Sequence, residues 1–216
     1  MNQPSTRRDP HAGQPIRTAG VPLAQARAAM VLAHGRGARA ADILLATADL
    51  DQSRFAYLAP EAAGDTWYPY RFMEPIASNE PWLSSALARL AAVLAQVAEA
   101  GIPPERTLLF GFSQGGCLML EFAARNARRY GGLVGLSAGL IGPDGTPREY
   151  AGSLAGTPVF LGCSDVDFHI PKERVGHTAE VLRRLGGSVT ERLYPNGDHS
   201  IYADEIEFMR GMQAEL

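Results

Sequence analysis

The sequence predicts an α/β fold built on a mostly parallel sheet with helices on both faces. Three observations point to it. Short apolar runs of strand type alternate with helix-type segments along most of the chain, as strands joined by helical crossovers do. The runs Ala29–Ala33, Phe55–Pro60, Leu108–Phe112 and Pro158–Gly162 are continuously apolar, as strands buried on both faces tend to be. A length of 216 residues suits one α/β domain with a sizeable core.

Composition narrows the function classes. A hydrophobic share of 46% is ordinary for a globular protein. The net charge of −3 lacks the basic field that a nucleic-acid or anionic-membrane binder needs. Cys117 and Cys163 form neither a disulfide framework nor a metal-ligand spacing, so no metal or other cofactor is expected. Arg7 and Arg8 are followed by no apolar signal core, and no apolar run is long enough to span a bilayer. The expectation is a soluble protein of the reducing cytoplasm, monomeric or a homodimer.

In chain order, residues 1–15 are polar and proline-bearing and read as a loose arm, with 16–216 as a single domain. Ile16 to Ala29 reads as a short edge strand followed by a turn or a helical piece. Ala29–Ala33 is a buried strand that runs into the tight turn His34-Gly35-Arg36-Gly37. Ile43, Leu44, Thr47 and Leu50 then have the spacing of a helix facing a core. After the strand Phe55–Pro60 comes a stretch from Glu61 to Glu80 rich in Gly, Pro and aromatics, and loops of that length are usually functional. Asn79-Glu80-Pro81 opens a helix with Leu83, Leu87, Leu90, Leu94 and Val97 at steps of four and three. Further on, Gly132–Ser137, Pro158–Gly162 and Val189–Tyr194 read as strands. Helices are expected between Pro171 and Gly186 and from Ile201 to Met212.

The most informative stretch is Gly111-Phe112-Ser113-Gln114-Gly115, set between a strand and a helix-forming segment, Cys117–Asn126. This is the G-x-S-x-G elbow, in which a sharp turn lifts a serine hydroxyl clear of the sheet. Gly111 and Gly115 are expected where strand and helix leave no room for side chains. A serine needs a base, and histidine serves best near neutral pH. Of five histidines, His11 in the arm and His177 in a helix read as solvated bystanders, and His34 as a brace for its turn. His169 could line a pocket. His199 follows the last strand and completes the chain order Ser, Asp, His that an elbow of this kind imposes. The orienting acid must come from the turn after Gly162, which offers Asp165 and Asp167. Oxyanion donors are expected from the backbone N–H groups of Gln114 and Arg36. The Arg36 side chain is either a surface charge or a group at the pocket mouth. Trp67, Tyr68, Phe72, Trp82, Leu140 and Ile141 could form an acyl-binding wall.

His34-Gly35-Arg36-Gly37, Gly111-Phe112-Ser113-Gln114-Gly115-Gly116, Asp167 with Pro171, and Gly197-Asp198-His199-Ser200 together resemble the phospholipase/carboxylesterase family. Its members are small α/β-hydrolases related to acyl-protein thioesterases, and Thr66-Trp67-Tyr68-Pro69 is similar to the bacterial branch. The resemblance implies an α/β-hydrolase fold with about seven strands and no large lid, a Ser113-Asp167-His199 triad, no metal, and hydrolysis of small carboxylic esters or thioesters. Asp167 rather than Asp165 is implied because, as in that family, it stands four residues before the second of two prolines, Pro158 and Pro171, that bracket the turn. Two departures stand out: Arg36-Gly37-Ala38 where relatives have an apolar residue and Gly-Asp, and Phe168 where a proline often follows the acid. Lactone cleavage of the dienelactone-hydrolase kind is the enzymatic alternative, although that family carries a cysteine at the place of Ser113. A non-catalytic small-ligand receptor is the alternative outside enzymes.

Overall fold

A computed structural model describes residues 9–216. Seven strands form one sheet: β1 (Ile16–Gly20), β2 (Ala28–Ala33), β3 (Phe55–Pro60), β4 (Thr107–Phe112), β5 (Gly132–Leu136), β6 (Pro158–Ser164) and β7 (Ser188–Tyr194). Their spatial order is β1-β3-β2-β4-β5-β6-β7. Only β1 runs antiparallel to its neighbour, pairing with β3 along one edge; every other pair is parallel. This is the mostly parallel sheet that the apolar runs predict.

Among the described residues, five α-helices cover it: α1 (Ala40–Leu45), α2 (Trp82–Glu99), α3 (Gln114–Arg125), α4 (Lys172–Arg184) and α5 (Ala203–Ala214). Alternate residues of each central strand serve opposite cores. Ala29, Val31 and Leu109 pack with α2, α3 and α4, whereas Met30, Leu32, Leu108 and Phe110 pack with α1 and α5. Burial on both faces explains why these strands read as unbroken apolar runs. Along α2, Leu83, Leu90 and Val97 are fully buried while Leu87 and Leu94 flank them, so the steps of four and three mark the inward stripe. α1 is shorter than its spacing predicts. Thr47 and Leu50 are still buried, but from turns after Leu45.

Chain direction across the sheet reverses between β2 and β4: β3 lies on one side of β2, and β4 to β7 follow on the other. Such a switch point opens a crevice at the carboxyl ends of the two strands. Ala33 pairs with Gly111 there, so the turn after β2 and the turn after β4 emerge side by side.

The N-terminal segment departs from expectation. Residues 1–8 of the anticipated arm lie outside the described residues, but residues 9–15 are seated on the protein rather than loose. His11 is not a solvated bystander: it is fully buried, with ring nitrogens bonded to the Trp67 carbonyl at 2.9 Å and the Ala63 N–H at 3.1 Å. Its own N–H donates to Ser85 on α2 at 2.9 Å. Burial pushes its pKa down, although the bond to Trp67 opposes this.

Candidate active site

Ser113 joins β4 to α3 at φ 53°, ψ −122°, a conformation that side chains rarely adopt and that recurs at functional turns. The surroundings hold it there. The Ser113 N–H donates to Leu136 of β5 at 2.9 Å. A Cβ on Gly111 would lie 2.7 Å from the Gly116 Cα, and one on Gly115 would overlap the Ala33 carbonyl. Strand, elbow and helix are therefore in backbone contact, and the serine is forced outward.

His199 lies in the turn after β7. Its Nε2 is 2.9 Å from Ser113 Oγ and its Nδ1 is 2.6 Å from Asp167 Oδ2. A proton on Nδ1 satisfies both contacts: that N–H donates to the carboxylate, and Nε2 is left to accept from the serine. The other oxygen of Asp167 accepts from the N–H groups of His169 at 2.8 Å and Ile170 at 3.1 Å. Burial by itself would raise the pKa of Asp167, but the His199 and His169 hydrogen bonds outweigh it and hold the carboxyl below its ordinary value. It is an anion at neutral pH. Asp165, the rival acid, makes no hydrogen bond to His199 and accepts from the Asn196 N–H at 2.8 Å, tying the β6 turn to the β7 turn. Two further bonds fix that second turn: Ser164 Oγ donates to Gly197 at 2.7 Å, and the Tyr202 hydroxyl donates to Asp198 at 2.6 Å.

The Gly35–Arg36 peptide runs beside the serine; a Cβ on Gly35 would lie 3.5 Å from that of Ser113. Among the described residues, the backbone N–H groups of Arg36 and Gln114 have no protein acceptor. That of Gln114 is free because it opens a helix, where the first N–H groups have no intrahelical partner. His34 braces this turn as expected, Nδ1 bonding the Gly35 carbonyl at 2.8 Å and Nε2 accepting from the Ala62 N–H at 3.2 Å.

A cavity of about 540 Å³ opens at Ser113 and His199. Tyr68, Phe72, Cys117 and Ile170 give it buried apolar walls, and Tyr70, Arg71, Glu74 and His169 stand exposed at its mouth. The His169 ring meets the His199 ring edge-on at 4.9 Å. Its pKa is lowered by burial first and by nearby His199 next. Of the anticipated wall, Tyr68, Phe72 and His169 do line the cavity. Trp67, Trp82, Leu140 and Ile141 do not. Trp67 is wholly buried, donating to the His34 carbonyl at 2.8 Å, and Trp82 packs against His11 at the start of α2. Leu140 and Ile141 are drawn into the core by a buried ion network, in which Glu121 accepts from the Ile141 N–H and Arg148 pairs with Glu121 at 3.5 Å. Sequence reasoning had no view of that network, because Arg148 lies in a loop without periodicity.

The Arg36 side chain fits neither expectation fully. It stands at the cavity, but its guanidinium is spent on backbone: it donates to the carbonyls of Tyr68 and Pro69 at 2.9 Å and of Tyr70 at 2.6 Å. Sequence reasoning also missed Cys117, Tyr70, Arg71, Glu74 and Ile170. Cys117 was within reach, because it lies four residues after Ser113 on the same helix face. Burial pushes its thiol up to about 12, so it is an apolar wall atom rather than a second nucleophile. Among the described residues, no helix is long and apolar enough to cross a membrane.

Comparison with known proteins gives a consistent answer. The model of the phospholipase/carboxylesterase family matches residues 20–212. A crystal structure of a phospholipase/carboxylesterase from Dyadobacter fermentans is 40% identical and superposes with a TM-score of 0.89, covering 94% of this chain and 97% of that one. Acyl-protein thioesterase 1 of Gibberella zeae is 32% identical over 124 residues, which is 53% of this chain and 50% of that protein. The chain thus spans about half the length of the curated relatives it matches. The Bacillus cereus carboxylesterase, at 17% identity and a TM-score of 0.73 over 94% of this chain and 95% of that one, shares the fold.

Proposed function

The chain belongs to the phospholipase/carboxylesterase family, and from that premise we propose that it hydrolyses carboxylic esters or thioesters through an acyl-enzyme on Ser113. The observation that supports this most is the continuous relay from a strained serine through His199 to an ionised carboxylate, with contacts of 2.9 and 2.6 Å. A small-ligand receptor on the same fold would have no use for it.

In the proposed reaction Ser113 Oγ attacks the carbonyl carbon while His199 Nε2 takes its proton. The carbonyl π pair moves to oxygen, where the N–H groups of Arg36 and Gln114 hold the charge. Asp167 keeps the imidazole in the required tautomer and stabilises the imidazolium. Collapse of the tetrahedral adduct expels the alkoxide or thiolate, which His199 protonates. Water then attacks the acyl-serine with the same base, and the acid leaves as Ser113 regains its proton. The open mouth and the short apolar walls suit small esters.

A serine-directed fluorophosphonate tests this. It should label the protein once, at Ser113, and Ser113→Ala should lose both labelling and esterase activity with its melting temperature intact. Labelling at another residue, or full activity in that variant, overturns the reading. A series of nitrophenyl esters of rising chain length, beside one acyl-thioester, then defines the acyl preference.

A further inference from the structure

The two residues whose backbone N–H groups face the reacting oxygen in the proposed mechanism share a second property. Each side chain grips the same stretch of the cavity wall. The Gln114 amide oxygen accepts from the Trp67 N–H at 2.9 Å and the Thr66 hydroxyl at 3.2 Å, and its nitrogen donates to the Tyr68 carbonyl at 2.8 Å. Arg36 binds the next three carbonyls in register, those of Tyr68, Pro69 and Tyr70. The Tyr68 carbonyl receives both. No acidic side chain lies within ion-pair distance of Arg36 among the described residues, so its binding is given over to this backbone.

We propose that the Arg36 guanidinium is a positioning group for the oxyanion site, fixing its own peptide beside Ser113 by anchoring it to the 68–70 wall. This rests on the acyl-enzyme reading above and adds a residue to it. The physical need is clear. Gly35 and Gly37 flank Arg36, and Gly37 sits at φ 75°, so this backbone needs fixing from outside: His34 holds the Gly35 carbonyl and Asp65 the Gly37 N–H, each at 2.8 Å, and the Arg36 side chain adds the tie to the cavity wall. A preorganised N–H costs no reorientation when charge develops, whereas a mobile one does. A planar fork with five donors can satisfy three successive carbonyls at once; an ammonium is a point charge that cannot hold them in one plane. Gln114 needs no such help for its own N–H, which α3 already fixes, so its amide steadies the opposite end of the same wall.

The inference separates from a plain structural role by where the loss falls. Arg36→Met should lower kcat on a short nitrophenyl ester by roughly 10- to 100-fold, as small misplacement of a catalytic group does, with KM changed less than about 3-fold. Affinity for a trifluoromethyl ketone, whose hemiketal oxyanion needs the same N–H, should fall by the same factor as kcat/KM. Arg36→Lys should recover only a small part of either. Overturning results are a rise in KM with kcat intact, unchanged binding of the ketone, or full recovery with lysine, which would make Arg36 a simple charge. Melting temperatures show that each variant is folded. Should Arg36→Met fail to fold, the lysine variant alone decides, because it must then show the kcat and ketone losses. Absence of fluorophosphonate labelling in the parent protein would remove the acyl-enzyme reading itself, a failure distinct from all of these.

Discussion

The turn after β4 and the turn after β6 each carry a side chain of the candidate site off the end of a parallel strand, yet they hold it by different means. The first works by exclusion. Gly111, Gly115 and Gly116 leave no volume for a Cβ, and Ser113 has one way out. The second works by attraction. Asp167 is held by two backbone N–H groups and the His199 ring, and Asp165 fastens its turn to the neighbouring one. A turn defined by excluded volume cannot be altered without disturbing the fold, whereas a turn defined by hydrogen bonds can lose its chemistry and keep its shape.

The largest expected effect comes from breaking the first turn. Gly115→Ala drives a methyl group into the Ala33 carbonyl, and backbone on both sides prevents relief. It should destabilise the protein by more than about 3 kcal/mol, visible as a collapse of the denaturation midpoint or loss of folded material. A variant that melts like the parent would remove the steric account of the elbow.

Asp167→Asn attacks the second turn. Turnover should fall by about three to four orders of magnitude, as when other triads lose the orienting acid, while the melting temperature changes far less than in Gly115→Ala. Asp165→Asn should cost much less in rate. The reverse ranking would transfer the acid's role to Asp165.

Behind that second turn lies Glu205 on α5, 1% exposed and pressed against Gly162. Burial first, and nearby Asp204 second, push its carboxyl up to about 7, although the Tyr202 N–H opposes this. Its folded pKa is raised, so the native state binds the extra proton and stability falls as pH rises from about 4.5 to about 7. Glu205→Gln keeps an acceptor for Tyr202 and removes the charge. Relative to the parent it should gain on the order of 2 kcal/mol at pH 8 and little at pH 5, measured by denaturant titration at both. Equal gains at the two pH values would mean the carboxyl does not titrate there.

Phe168→Ala should have the smallest effect. The residue is 78% exposed and its ring lies against that of His169, so stability should move by no more than about 0.5 kcal/mol. Asp167 keeps its bonds without the Phe168 side chain, because they come from the N–H groups of residues 169 and 170 and from the His199 ring. A large loss would show that the second turn depends on packing as well.

This contrast also explains what could be read from the sequence. The strands announced themselves because burial on both faces demands unbroken apolar runs, and Phe55–Pro60 has the observed bounds. The elbow announced itself because steric exclusion demands glycine at fixed offsets from a serine. Asp167 and Asp165 are both plausible by distance from Gly162; the resemblance favours Asp167 by its place before Pro171, and in the structure Asp167 bonds His199 while Asp165 bonds Asn196. The aromatic wall was the least legible part. Trp67 and Tyr68 are adjacent in sequence, yet one is core and the other lines the cavity, because the chain bends there and no strand or helix period says which way each side chain turns. His11 carried no signal at all: a lone histidine in a polar segment looks the same whether buried or solvated.

The seating of His11 has a practical consequence for anyone shortening this protein. Boundaries drawn at the family match would begin at residue 20, preserving strands β2 to β7 and Ser113, Asp167 and His199. They would also delete the latch on the Trp67 carbonyl and the Ala63 N–H, along with edge strand β1. The Thr66–Tyr70 segment would then keep its ties to Gln114, Arg36, His34 and Asn79 but lose the one from the N-terminal segment. Such a trimmed protein would keep the sheet's centre and Ser113 while the cavity mouth lost definition, so any tag or fusion is better joined ahead of Asp9 than close to β1.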